Sequence, residues 1–151
     1  MHPRTFVLSS VVAVALITLA ACSSSSSSAG PASGSSSGSS KITIGSDHAN
    51  DHGTKDATGQ STFQIEADND SSGYYFDPTI LTGNGGRSIT LEIKNAGSVQ
   101  HNFSITSMNI NVTIQPGSTQ EVNVTFPQTG IVEYFCSFHH ALGMAGELSV
   151  A

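Results

Sequence analysis

IVEYFCSFHHALGMAGELSV, residues 131–150, reads as a strand, a loop and a second strand. Residues 131–136 are dominated by β-branched and aromatic side chains, and "GELSV" at 146–150 is a further short strand. The loop between them holds Cys136, His139, His140 and Met144 within nine positions. No helical period runs through it, so the soft and imidazole side chains sit on a turn of chain that can fold back on itself.

Working toward the N-terminus, the same strand-like alternation repeats. "TQEVNVTFPQTG" sets Val122, Val124 and Phe126 on one face before a turn. "INVTIQPGS" does so with Ile110, Val112 and Ile114 and closes on Pro-Gly. "HNFSITSM" alternates Phe103 and Ile105, and "SITLEIKNAG" alternates Ile89, Leu91 and Ile93 before turning at residues 95–97. In "YYFDPTILTG" Pro78 interrupts an apolar run, which marks a kink or an edge strand. "TFQIEA" alternates Phe63, Ile65 and Ala67. These segments make about eight short strands with turn signals between most of them. The expectation is an all-β fold, an antiparallel Greek-key β-sandwich over residues 62–151.

Residues 41–61 alternate only at Ile42 and Ile44 and then turn polar and glycine-bearing. They are expected to form a partly ordered N-terminal extension. His48 and His52 in "DHANDH" would share a face only on a helix, and Gly45 and Gly53 flank the stretch. Solvated linker is the favoured reading, with metal binding by the pair as the minor one. Glu66, Asp68 and Asp70 read as an ordinary solvated face.

The first residues carry an export signal. Arg4 precedes an apolar run at 7–21, too short for a membrane span and suited to a signal-peptide core. The run ends in Leu19, Ala20, Ala21 and Cys22, which resembles the bacterial lipobox, position by position. The resemblance implies cleavage after residue 21 and a lipid on Cys22. Residues 22–40 then form a Ser/Gly-rich tether with no apolar periodicity. Coil statistics give it a typical span of about 25 Å and a limit near ~60 Å. The chain is expected on the outer face of a bacterial cytoplasmic membrane. In that setting glycosylation at the N-x-[ST] triplets of Asn102, Asn111 and Asn123 is not expected.

The chain has only two cysteines. With Cys22 lipidated, Cys136 is an unpaired thiol in an oxidising compartment, a state usually protected by burial, a metal or catalysis. The net charge of −6 argues against nucleic acid as a partner. Cys136, His139 and Met144 form C-x2-H-x4-M on one loop, and His101, opening a strand after the turn "NAGSVQ", is the candidate fourth member. A thiolate, two imidazoles and a thioether suit copper in both oxidation states, whereas zinc gains little from methionine. A metal would also keep the thiol ionised. His140 in place of His139 is the alternative ligand. Otherwise it is a surface residue beside the site.

From about residue 75 to 150 the sequence resembles the cupredoxins, the blue copper proteins of plastocyanin and azurin type. "HNF" resembles the family's first-histidine motif, "YFCSFHHALGMAG" its C-terminal ligand loop and "FDPTILTGNGG" its early strand and turn. The resemblance implies a cupredoxin-like sandwich with His101, Cys136 and His139 as close ligands and Met144 as the axial one. It also implies that Asn102 ties the two ligand-bearing segments together, here through Ser137. The implied function is a membrane-tethered electron carrier, monomeric, with one mononuclear copper and redox proteins as partners. His139 would be the exit path, with residues 141–143 as a small docking patch. The alternatives are a copper storage or delivery lipoprotein and a metal-free interaction module. An enzyme is not expected, because one small domain supplies one copper site and a copper oxidase or nitrite reductase needs a catalytic site as well.

Overall fold

The computed structural model describes residues 40–151. The signal segment 1–21, Cys22 and nearly all of the tether lie outside the described residues. Among the described residues no helix is long and apolar enough to cross a membrane.

Twelve strands follow in order: β1 (Ser40–Ile44), β2 (Asp47–Asp51), β3 (Thr54–Asp56), β4 (Thr62–Asp70), β5 (Gly73–Asp77), β6 (Ile80–Gly83), β7 (Ser88–Asn95), β8 (His101–Ile105), β9 (Ile110–Ile114), β10 (Thr119–Thr125), β11 (Ile131–Phe135) and β12 (Ala145–Val150). Single 3-10 turns occur at Thr106–Met108 and His140–Leu142. Sheet order is β10-β7-β4-β5 in one layer, β3-β6-β12-β11-β8-β9 in the other, with β1-β2 as a separate hairpin.

The β-sandwich is as the alternation predicts, and two details differ. The strand number is twelve rather than about eight. One of the extra strands arises at Pro78, where the run "YYFDPTILTG" breaks into β5 in the four-stranded sheet and β6 in the six-stranded one. Pro78 cannot donate to a ladder, so the chain changes layer there. The other three come from residues 41–61. The sandwich is also mixed rather than purely antiparallel, since β4 runs parallel to β7, and β6 parallel to both β12 and β3.

The core is where the alternation places it. Ile65 and Ala67 of β4, Leu91 and Ile93 of β7 and Val124 of β10 meet Leu81, Phe103, Ile105, Ile114 and Leu148 of the other sheet. Each large side chain buried this way contributes about 1.5–3 kcal/mol. Tyr134 is fully buried, with its hydroxyl donating to the carbonyls of Pro78 at 2.8 Å and Thr79 at 3.0 Å.

Residues 41–61, read from the sequence as partly ordered, are largely in strand. Gly45 at φ 57 opens a two-residue turn between β1 and β2, in the manner of a type II′ hairpin. Ile44 and Ala49 pack with Ala145 in a second small core, and β3 adds to the edge of the six-stranded sheet. The polar faces of these strands hide their period from a hydrophobicity reading. His48 lies in β2 and His52 just beyond its end, so the two do not share a helix face. His52 stacks on Tyr75 with ring centroids 3.4 Å apart.

Candidate metal centre

Two segments converge at one pole of the sandwich. The first is the turn before β8. Asn95 is buried, and its carboxamide donates to the carbonyls of Val99 at 2.8 Å and Ile114 at 2.9 Å while accepting from the Gly97 amide at 3.0 Å. Asn69 of β4 accepts from the Ser98 amide at 2.9 Å. A Cβ at Gly97 would lie 2.3 Å from Asn69 Oδ1 and 3.1 Å from His101 Nε2, so glycine lets the turn seat against the imidazole. His101 is then delivered, fully buried, at the first position of β8.

The second segment is the loop from β11 to β12. The His139 amide donates to the Cys136 carbonyl at 3.0 Å, the Leu142 amide to the His139 carbonyl at 2.9 Å, and the Cys136 amide to the Met144 carbonyl at 3.0 Å. These bonds close the loop so that Cys136 and Met144, both with no exposed surface, lie side by side at its base.

Asn102 joins the segments. Its Oδ1 accepts from the Ser137 amide at 2.7 Å, and its Nδ2 donates to Ser137 Oγ and Asn111 Oδ1, each at 2.8 Å, and to Ser104 Oγ at 3.0 Å. Its own amide faces Cys136 Sγ at 3.4 Å. Asn102 and Ser104 occupy the polar positions of the β8 alternation, yet both are buried, because this network covers them.

The Cys136 sulfur lies 3.5 Å from His139 Nδ1 and 4.0 Å from His101 Nδ1. Bonds of about 2.3 Å to sulfur and 2.0 Å to nitrogen around one ion give S···N separations of about 3.5–3.8 Å. The His139 separation falls in that range and the His101 one just above it, so the donor set is close to the dimensions of a metal site, with thiolate and imidazole chemistry suited to copper. Burial, with His139 beside it, pushes the pKa of His101 down to about 4, and burial lowers that of His139 as well. Both imidazoles are therefore neutral near pH 7, the form that binds a metal. His101 Nε2 is buried with no hydrogen-bond partner.

The structure brings together three of the candidate donors and buries the fourth among the same core residues. His101, Cys136 and His139 form one group of potential ligand atoms within 4.8 Å of one another, and Met144 is in the same buried cluster as Cys136. His140 belongs elsewhere: its Nε2 is 3.3 Å from Glu133 and 3.5 Å from Asp47. Two neighbours of the site were not read from the sequence. Tyr74 stacks on the His139 ring with centroids 4.1 Å apart, and Asn50 of β2 bonds to the loop itself. Neither carries a local signal, since each acts through a contact between segments remote in sequence. Around His139 the surface is apolar, with Phe138 and Leu142 each about half exposed.

The chain matches the family described as cupredoxin-like domain over residues 12–150. No curated protein matches it closely. Among solved structures, its fold is similar to that of auracyanin from the photosynthetic bacterium Roseiflexus castenholzii, crystallised after reduction with dithionite. That likeness covers 61% of this chain and 98% of the other, at 22% identity and a TM-score of 0.50. Auracyanin A, a "blue" copper protein from Chloroflexus aurantiacus, aligns over 60% of this chain and 99% of its own at 25% identity and a TM-score of 0.47.

Proposed function

The chain belongs to the cupredoxin-like domain family, and from that premise we propose that it is a blue (type 1) copper protein. It passes single electrons between redox proteins outside the cytoplasmic membrane, to which a lipid on Cys22 tethers it. The observation that carries this reading is the Cys136 sulfur set between two imidazole Nδ1 atoms at 3.5 and 4.0 Å.

His101, Cys136 and His139 would hold the ion, with Met144 as the weaker fourth donor. Copper supplies one-electron exchange between Cu(I) and Cu(II). The protein's part is to keep the donors still and dry. The Asn102 network fixes the two segments against each other, so the donors need not rearrange between oxidation states. The Asn102 amide points at the sulfur from 3.4 Å and helps hold it in place. Three of the four side chains are fully buried, and only His139 approaches solvent. Its apolar rim of Phe138 and Leu142 suits brief docking of a partner, because such contacts desolvate easily and carry no charge to be paired. A Ser/Gly tether of about 25 Å typical span would let the domain sample several partners from one anchor.

Copper loading tests the reading. The Cu(II) form should show intense visible sulfur-to-copper absorption that Cys136→Ser abolishes, and a colourless loaded wild type would refute it. Fast electron self-exchange separates a carrier from a storage or delivery protein, which would instead hand Cu(I) readily to an acceptor. Cys22→Ser should move the chain from the membrane fraction to the soluble one.

A further inference from the structure

The β1–β2 hairpin lies outside the two sheets of the sandwich, yet its Asn50 reaches the loop of the candidate metal centre. Asn50 of β2 is 3% exposed. Its amide donates to the Gly143 carbonyl at 2.9 Å. Its carboxamide Nδ2 donates to the Leu142 carbonyl at 3.0 Å and to the Tyr74 carbonyl at 2.9 Å. Leu142 and Gly143 immediately precede Met144. Tyr74 carries the ring stacked on His139, at an interplanar angle of 13°. A single carboxamide thus joins the chain that brings in Met144 to the chain that covers His139.

The pocket for that carboxamide is shaped by two glycines. Gly73 has φ 118 and Gly143 has φ 94, and a Cβ on either would lie 2.9 Å from Asn50 Nδ2. Both positions suit glycine on backbone grounds as well. The far side of Asn50 is also fixed, because Thr79 Oγ1 donates to its carbonyl at 3.1 Å. Asp47, on the same strand, lies 3.5 Å from His140 and gives the hairpin a second point on the loop.

We propose that Asn50 is a positioning residue of the metal site, setting how close Met144 is held and how His139 is oriented. The inference rests on the copper reading above. The thioether makes the weakest bond of the donor set, so slack in the loop is felt there first. Without the Asn50 side chain the Leu142 and Tyr74 carbonyls lose this donor, while the main-chain bond to Gly143 remains.

The test compares wild type with Asn50→Ala, Asn50→Asp and Asn50→Ser, each loaded with Cu(II) after folding is checked by circular dichroism. Asn50→Asp keeps the shape and removes the side-chain donors, and Asn50→Ser keeps one donor in the pocket. His48→Ala, exposed on the same strand, is the control. Asn50→Ala and Asn50→Asp should bind copper with an altered ratio of the visible sulfur-to-copper bands and a shifted reduction potential. They should also lose copper to a chelator about 10-fold faster or more, the range typical of outer-shell partners. Asn50→Ser should fall between, and it carries the test if Asn50→Ala does not fold. Wild-type spectra, potential and copper retention in the folded variants would overturn the role of Asn50 while leaving the copper reading intact. A wild type that takes up no copper would instead overturn the reading and the inference with it.

Discussion

The Asn102 carboxamide oxygen accepts the Ser137 main-chain amide at 2.7 Å, across 35 positions of sequence. This one side chain fixes the His101 segment against the Cys136 loop, and its removal should be costly. Asn102→Ala leaves the Ser137 amide and Asn111 without their partner in a buried network. A loss of about 2–4 kcal/mol is expected from urea unfolding of the metal-free protein.

Stability of the metal-free protein should fall in mild acid. His101 has a pKa of about 4 in the folded chain against 6.5 for the free imidazole. Between those values the unfolded chain binds more protons, so stability rises with pH across the window. It is complete above about pH 6.5 and lost progressively toward pH 4, by on the order of 3 kcal/mol. His101→Gln should flatten most of this slope in urea melts taken at successive pH values, with the remainder owed partly to His139. An equally steep slope in the variant would assign the effect to other groups.

Tyr134→Phe removes the hydroxyl that donates to the Pro78 and Thr79 carbonyls inside the core. The expected loss is about 1–3 kcal/mol, seen as a lower urea midpoint with an unchanged slope. Gly146→Ala should be worse, because its Cβ would stand 2.3 Å from the Tyr134 ring and 2.5 Å from the Thr79 carbonyl. That places it against backbone, which cannot yield as a side chain can.

Cys136 is a free thiol with no exposed surface. In the metal-free folded protein it should react with an aromatic disulfide reagent only as fast as the loop opens, and at full speed in denaturant. Asn50→Ala should speed the native reaction, since it frees one side of the same loop.

The sequence read well where the fold follows from local pattern. The alternation of Ile89, Leu91 and Ile93 marks β7 because a strand half-buried in a two-layer fold must repeat every second residue. The candidate donors Cys136, His139 and Met144 stood out because they fall at short intervals on one loop. Polar strands did not. Ser104 falls on the polar side of the β8 alternation, yet a hydrogen-bond network buries it, and the tie from Asn102 to Ser137 was expected from the family resemblance rather than from the alternation. Residues 40–51 alternate too weakly to be seen as a hairpin, since only Ile44, Ala49 and Asn50 are buried there.

The sequence by itself determined the β-sandwich and the short list of candidate donors, because periodicity and spacing are properties of neighbouring residues. Only the tertiary structure decided that His139 rather than His140 faces the sulfur, that Tyr74 covers it, and that Asn50 holds the loop from a hairpin some ninety positions away. Those choices turn on ring orientation and on hydrogen bonds between distant strands. Such bonds form only where the packed sheets bring the partners within about 3 Å of each other.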